Sequence, residues 1–127
     1  MKLLLDTHTF LWFINGSAQL STDAKNLLES EADLLLSTAS LWEIAIKSSL
    51  GKLTLPRIYG QFIPQQLSQN EIEVLPISLE HLTVIATLPL HHRDPFDRLL
   101  IAQTIVEKVP IVSIDVAFDS YSIDRIW

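Results

Sequence analysis

Short apolar runs alternate along this chain with segments whose apolar residues repeat at helical spacing. The runs are too short for helices and typical of strands buried on both faces; they cover residues 2–5, 33–37, 72–76 and 111–114. Residues 121–127 are a candidate fifth strand. Because a parallel neighbour requires a crossover that usually carries a helix, the alternation predicts an α/β fold. We expect a three-layer α/β/α sandwich with a central parallel sheet of four to five strands.

Capping residues indicate where the intervening helices begin and end. Ser21 is suited to cap a helix N-terminus, Gly51 to end a helix in the left-handed conformation, and Asp94-Pro95 to begin a long helix. The predicted helices cover residues 24–31, 41–50, 80–88 and 94–108, with one or two short helices between residues 53 and 69. No internal repeat or linker is visible, so residues 1–127 are expected to form a single domain.

Composition limits the possible functions. The 15 Asp and Glu residues outnumber the 9 Lys and Arg residues, and the net charge of −6 argues against a protein that coats DNA by bulk electrostatic attraction. To bind nucleic acid, a protein of this charge would therefore need a local site that attracts the phosphate backbone. The absence of cysteine excludes disulfides and thiolate metal sites and fits a reducing compartment. Since no segment is long enough to span a bilayer, we expect a cytoplasmic protein without a membrane partner.

Acidic residues mark one edge of the predicted sheet. Asp6 ends the first strand, Glu43 lies early in the helix after the second, and Asp115 ends the fourth. Asp94 and Asp97 begin the long helix that leads into the fourth strand. Parallel sheets bind ligands outside the carboxyl ends of their strands. We therefore expect these acids, drawn from four separate segments, to converge on one site.

Converging carboxylates predict a divalent metal. They repel one another and raise one another's pKa unless a cation is present. Mg²⁺ and Mn²⁺ prefer oxygen ligands, and such an ion can activate water and offset charge on a phosphodiester in the transition state. The pattern therefore favours a nuclease, since bound cations would also let an acidic protein approach a polyanion.

Several of these acids also have a structural explanation. Asp94 is a natural N-cap, with Asp97 placed to face back to it at the third helical position. Ser40 and Glu43 match a capping box, and Glu43 can pair with Lys47 one turn later.

The remaining acids differ in how easily structure explains them. Asp115 could cap a short helix, with Asp119 as a solvated neighbour. Asp6 is the hardest to explain structurally, because an acid that directly follows a buried apolar strand is costly to desolvate. The joint placement of the acids favours function over these separate structural roles.

Four segments carry the acids in order: residues 4–7 (LLDT), 37–47 (STASLWEIAIK), 94–103 (DPFDRLLIAQ) and 113–115 (SID), the last followed by Phe118. In order, spacing and total length they resemble the motifs of PIN-domain ribonucleases of the VapC toxin type. The resemblance covers essentially the whole chain. It implies an endoribonuclease that uses Mg²⁺ or Mn²⁺ and metal-activated water to cleave RNA, the toxin of a toxin–antitoxin pair, held inactive by a small cognate antitoxin.

Transferred to this chain, the resemblance assigns the catalytic and metal-binding acids to Asp6, Glu43, Asp97 and Asp115. Asp94 is a possible additional acid, ranked below Asp97 because it is also the natural helix cap. Thr7 matches a hydroxyl that helps hold the water shell of the metal. Ser113 replaces the commoner threonine of the fourth motif and keeps its hydroxyl, and Asp115 is preferred there over Asp119.

The resemblance also implies partners, namely an RNA substrate, the antitoxin and a second copy of the chain. Candidates for contacting the RNA backbone are Arg98, Lys47, Arg93 and Lys52. The dense apolar run 10–14 is expected to pack in the core, with exposed aromatic residues available to a partner. Zinc is not expected, because the four histidines lack ligand spacing, and residues 91–93 are interpreted as an exposed loop.

Two other functions remain possible from the sequence. A strand that ends in aspartate also resembles the start of aspartyl-phosphate phosphomonoesterases, but these need a second aspartate two positions on, where this chain has His8. The other alternative is a non-catalytic PIN-like module that only binds RNA or a partner. The presence of all four acids favours the enzyme.

Overall fold

The computed structural model describes residues 1–127 and contains five parallel strands and six α-helices. In chain order the elements are β1 (Lys2–Leu5), α1 (Thr7–Ile14), α2 (Thr22–Leu28), β2 (Asp33–Ser37), α3 (Thr38–Ser49), α4 (Tyr59–Gln69), β3 (Ile72–Leu75), α5 (Leu79–Thr87), α6 (Pro95–Glu107), β4 (Ile111–Val112), a 3₁₀ helix (Val116–Ser120) and β5 (Arg125–Ile126). The sheet order is β3-β2-β1-β4-β5, and every adjacent pair is parallel. The predicted fold class is confirmed.

Strand β1 lies at the centre of the sheet and is buried on both faces. Leu3 and Leu5 face one apolar cluster, whereas Leu4 faces another, because successive side chains of a strand point to opposite sides. Strand β2 repeats the pattern in register, with Leu34 paired to Leu3 and Leu35 paired to Leu4. This explains why these strands read as continuous apolar runs rather than as alternating ones.

Helices cover both faces of the sheet. Helices α1 to α4 contribute to the first cluster through Phe10, Ala24, Ile44 and Phe62. Helix α6 contributes Leu100 and Ile101 to the second cluster, together with Phe118 and Tyr121 from the C-terminal segment. The result is the expected three-layer arrangement.

The predicted element boundaries hold with a few differences. Helix α1 has no counterpart among the predicted helices, because its residues 10–14 are a continuous apolar run in which no polar face is visible. Residues 59–69 form a single helix despite Pro64, whose missing N–H leaves the carbonyl of exposed Gly60 without its helical donor. Strand β4 has only two residues. Gly51 has a φ of 72° just beyond α3, as predicted.

No helix of the structure combines the length and the apolar character that crossing a membrane requires.

Removing a buried leucine from α6 should test this packing. Leu100 is fully buried between α6 and the sheet, so Leu100→Ala should lower the free energy of unfolding by about 2–5 kcal/mol through lost burial and a residual cavity. Leu79→Ala is the matched control, because Leu79 is 80% exposed and its truncation should change stability by at most about 0.5 kcal/mol. Urea unfolding followed by circular dichroism measures both, and equal effects would contradict the assignment of this face to the core.

Candidate active site

The predicted acids line one cavity at the carboxyl-terminal edge of the sheet. Its volume is about 180 Å³, and its walls are formed by Asp6, Thr7, His8, Glu43, Lys47, Asp94, Asp97, Ile114 and Asp115. These residues come from the end of β1 and the start of α1, from the middle and last turns of α3, from the start of α6, and from the segment that follows β4. Asp119 lies outside the cavity, where its carboxylate forms a bidentate ion pair with Arg125.

Asp6 is held by hydrogen bonds to both carboxylate oxygens. The Thr7 backbone N–H donates to Oδ1 at 2.7 Å, since Asp6 caps α1, and the Ser113 hydroxyl donates to Oδ2 at 2.7 Å. The residue is only 7% exposed. Burial raises the pKa of Asp6, the two hydrogen bonds oppose the rise, and the charge of Glu43 adds to it. The hydroxyl kept by Ser113 thus orients the central acid.

Thr7 and Glu43 join the same wall of the cavity. The Thr7 hydroxyl donates to Ser40 Oγ at 2.9 Å and thereby links α1 to α3. Ser40 is therefore buried inside α3, and the predicted capping box of Ser40 and Glu43 is wrong, because Ser37 is the residue that caps this helix. Glu43 instead accepts from Lys47 Nζ at 2.7 Å, the predicted pair one turn apart.

Asp94 and Asp97 have different roles at the start of α6. Asp94 caps the helix as predicted, with Oδ1 accepting from the backbone N–H groups of Phe96 and Asp97. Asp97 does not face back to this cap. Its Oδ2 lies 3.0 Å from His92 Nε2, inside the cavity.

The crowding of carboxylates has its largest effect on the pKa of Asp97. Burial raises the pKa of Asp97 to about 8, and repulsion by Asp6, Asp94, Glu43 and Asp115 adds to the effect. A bound cation would relieve this repulsion. Asp115 closes the group from the other side, where it caps the 3₁₀ helix and places Oδ2 3.8 Å from His92 Nε2.

His92 is the site residue that the sequence did not identify. Residues 91–93 were expected to be an exposed loop, but the His92 side chain is only 17% exposed. One ring nitrogen of His92, one carboxylate oxygen of Asp97 and one of Asp115 all lie within 4.8 Å of one another. Nothing in the local spacing of the histidines signals this, because the contacts depend on how the loop returns over α6.

The predicted basic residues are distributed unevenly around the cavity. Lys47 lines it, and Lys52 lines an adjoining cavity of about 350 Å³ that shares Thr7, His8 and Lys47 with it. Arg93 is exposed. Arg98 differs from the prediction, because its guanidinium donates to the backbone carbonyls of Leu88, Pro89 and His92 and so holds a loop instead of facing the acids.

The donor set fits a hard divalent cation. Carboxylates from four chain segments face a small cavity. Lys47 and His8 are the basic residues among those that line it. Mg²⁺ and Mn²⁺ bind such oxygen-rich sets while keeping several waters. The parallel sheet and this cavity define an α/β protein with a carboxylate-rich site at its ligand-binding edge.

Comparison with known families then places the chain. Residues 3–123 match the family model described as PIN domain. The chain belongs to the PIN domain family, as its motifs had suggested. No curated protein sequence matches the chain.

Solved structures share the fold at low sequence identity. The crystal structure of VapBC2 from Rickettsia felis, bound to a DNA fragment from its promoter, has a TM-score of 0.75 and 16% identity over 99% of this chain and 98% of that chain. FitAcB from Neisseria gonorrhoeae has a TM-score of 0.69 and 15% identity, covering 98% and 96%. A toxin–antitoxin complex from Klebsiella pneumoniae has a TM-score of 0.66 and 13% identity, also covering 98% and 96%.

The raised pKa of Asp97 predicts how stability depends on pH without metal. Between its ordinary value of 3.8 and about 8, Asp97 keeps its proton in the folded protein but loses it in the unfolded chain. The folded state therefore binds more protons, and the free energy of unfolding should fall as the pH rises from about 5 to about 8. Asp97→Asn should flatten this decline. Urea unfolding in EDTA at several pH values measures it.

The control for this experiment is Asp33→Asn, which removes an exposed carboxylate at the start of β2, outside the acidic cavity. It should leave the wild-type slope unchanged. An equally steep decline in Asp97→Asn and wild type would contradict the proposed origin of the pH dependence.

Proposed function

We propose that this protein is a divalent-metal-dependent endoribonuclease and the toxin of a toxin–antitoxin pair. The observation that carries the proposal is the acidic cavity of a PIN-family chain, which is lined by Asp6, Glu43, Asp97 and Asp115. Four acids from distant segments, in a place where their charges repel, are costly to maintain for packing alone. A cation-dependent reaction on a polyanion explains their convergence.

Asp6, Glu43 and Asp97 would hold the principal Mg²⁺ or Mn²⁺ ion, and Asp115 would bind it through water or hold a second ion. When bound, the ion orients water, lowers the pKa of that water and offsets negative charge that develops on the phosphodiester. Asp94 also lines the cavity, but its Oδ1 is engaged as the helix cap. It therefore ranks below Asp97 in this proposal.

The protein's own groups prepare the site for this reaction. Ser113 and the Thr7 N–H fix the direction of the Asp6 carboxylate, so that little reorganisation is needed when the ion and substrate arrive. The Thr7 hydroxyl, which donates to Ser40, can still accept a hydrogen bond from water at the cavity wall. No side chain is required to form a covalent bond to the substrate.

Basic residues beside the acids would contact the RNA backbone. Lys47 lines the acidic cavity and Lys52 lines the adjoining one. The two ammonium groups are therefore placed to contact successive phosphates of an RNA strand that extends from the acidic cavity. Arg93, exposed on the loop before α6, is a third candidate. Arg98 is not included, because loop carbonyls occupy its donors.

A small antitoxin is the proposed protein partner. The similar structure from Klebsiella pneumoniae is a toxin–antitoxin complex. Leu11 and Trp12 line the cavity next to the acidic one, so a partner seated there would lie beside the catalytic acids. Phe10, from the same apolar run, is fully buried in the core and is not available. A second copy of the chain and a cytoplasmic location remain predictions.

Cleavage of RNA should require both the metal and the acids. Purified protein should cleave total RNA with Mg²⁺ or Mn²⁺ and not with EDTA. Asp6→Asn should lower the rate by about 100-fold or more, the scale of loss that misplaced catalytic groups produce. Gel electrophoresis of 5′-labelled RNA gives the rates.

Two controls make this test specific. Asp115→Asn should lower the rate, whereas Asp119→Asn should not, because Asp119 pairs with Arg125 outside the cavity. Cleavage that survives EDTA and Asp6→Asn would eliminate the metal mechanism. Phosphate release from a phosphomonoester would instead favour the phosphatase, and binding of RNA without cleavage would favour the non-catalytic module.

Expression of the chain alone should arrest bacterial growth, because unrestrained RNA cleavage stops protein synthesis. Asp6→Asn, expressed to the same level, should permit growth, and co-expression of the cognate antitoxin should restore growth to cells with the wild-type chain. Growth curves and immunoblots measure these effects. Equal arrest by wild type and Asp6→Asn would contradict a toxic role for the acidic cavity.

A further inference from the structure

His92 occupies a position between two of the proposed metal ligands. Its Nε2 atom lies 3.0 Å from Asp97 Oδ2 and 3.8 Å from Asp115 Oδ2. The atom is buried, yet it makes no hydrogen bond of good geometry. A buried N–H without a partner is unfavourable, and a modest rotation of the Asp97 carboxylate would provide one. Such contacts are often poorly aligned in unliganded sites and tighten when the site is loaded.

The other ring nitrogen indicates which one carries the proton. The backbone N–H of Asp94 donates to His92 Nδ1 at 3.3 Å, so Nδ1 uses its lone pair as an acceptor. In the neutral ring the proton then resides on Nε2, because one nitrogen of an imidazole donates while the other accepts. An Nε2–H group facing Asp97 is a hydrogen-bond donor to the carboxylate and has no lone pair to offer a metal.

The loop that carries His92 is fixed from two sides. Arg98 donates to the carbonyls of Leu88, Pro89 and His92. The Tyr121 hydroxyl accepts from the backbone N–H groups of His91 and His92 and donates to the carbonyl of Pro89. These contacts fix the backbone from which the imidazole extends toward the acids.

We propose that His92 is a positioning residue of the metal site, which donates from Nε2 to the carboxylate of Asp97, beside Asp115, and is not itself a ligand. The inference rests on the proposed function, since it assigns a role toward the same ion. By holding one oxygen of Asp97, the imidazole leaves the other oxygen directed to the cation. Groups that orient metal-binding carboxylates in this way typically contribute about 10–100-fold to metal affinity.

Two substitutions of His92 test the roles of its two ring nitrogens separately. His92→Gln places an amide N–H near the position of Nε2, whereas His92→Asn keeps a polar group near Nδ1 but cannot reach the carboxylates. His91→Ala is the matched control, because His91 is the exposed neighbour in the same loop. Titration calorimetry with Mn²⁺ gives the affinity of each protein, and thermal unfolding in EDTA shows whether each remains folded.

We expect His92→Asn to weaken Mn²⁺ binding by about 10–100-fold, and His92→Gln and His91→Ala to stay near wild type. Independently of metal, long-range ¹H–¹⁵N spectra of the metal-free protein should show the His92 proton on Nε2. Three results would each overturn this inference alone: wild-type Mn²⁺ affinity in His92→Asn, a proton on Nδ1, or a Mn²⁺-bound nitrogen in electron spin echo spectra that is lost in His92→Asn. Absence of Mn²⁺ binding by the wild-type protein would overturn the proposed function as well.

Discussion

Repulsion between carboxylates is the constraint around which this molecule is organised. A parallel sheet brings the carboxyl ends of its strands to one edge, and this chain places an acid at or near several of them. The energetic consequence is concentrated at Asp97, whose pKa rises to about 8 because it is both buried and surrounded by like charges. The fold must therefore be stable enough elsewhere to tolerate a destabilised edge, a common feature of functional sites.

That stability comes from the two apolar clusters on the faces of the sheet. Their interlocking leucines fix β1 and β2. Asp6 directly follows β1, and Glu43 lies on the helix that directly follows β2. Hydrogen bonds from Ser113, the Thr7 N–H and the residues that follow Asp94 and Asp115 then hold individual carboxylates. The site is thus preorganised by the same capping interactions that begin its helices, so structural and functional roles of these acids coexist.

The sequence predicted the fold class and most elements because strand-like runs and capping residues are local signals. It also predicted that Asp6, Glu43, Asp97 and Asp115 meet, since strand ends in a parallel sheet share an edge. It did not identify His92 as a site residue, and it did not predict that Arg98 binds loop carbonyls. The contacts of both residues depend on the path of a loop over α6. Ser40 was misassigned as a cap because the hydroxyl of Thr7, 33 residues earlier, is its actual partner.

The hydrogen bond from Ser113 to Asp6 joins positions 107 residues apart. Contacts of such long sequence separation are made late, because nearly all of the intervening chain must be available before they can close. During synthesis the ribosome therefore carries the first acid long before its hydroxyl partner and Asp115 have emerged. A nascent chain of this protein therefore cannot assemble its acidic cavity until nearly the whole sequence has been synthesised.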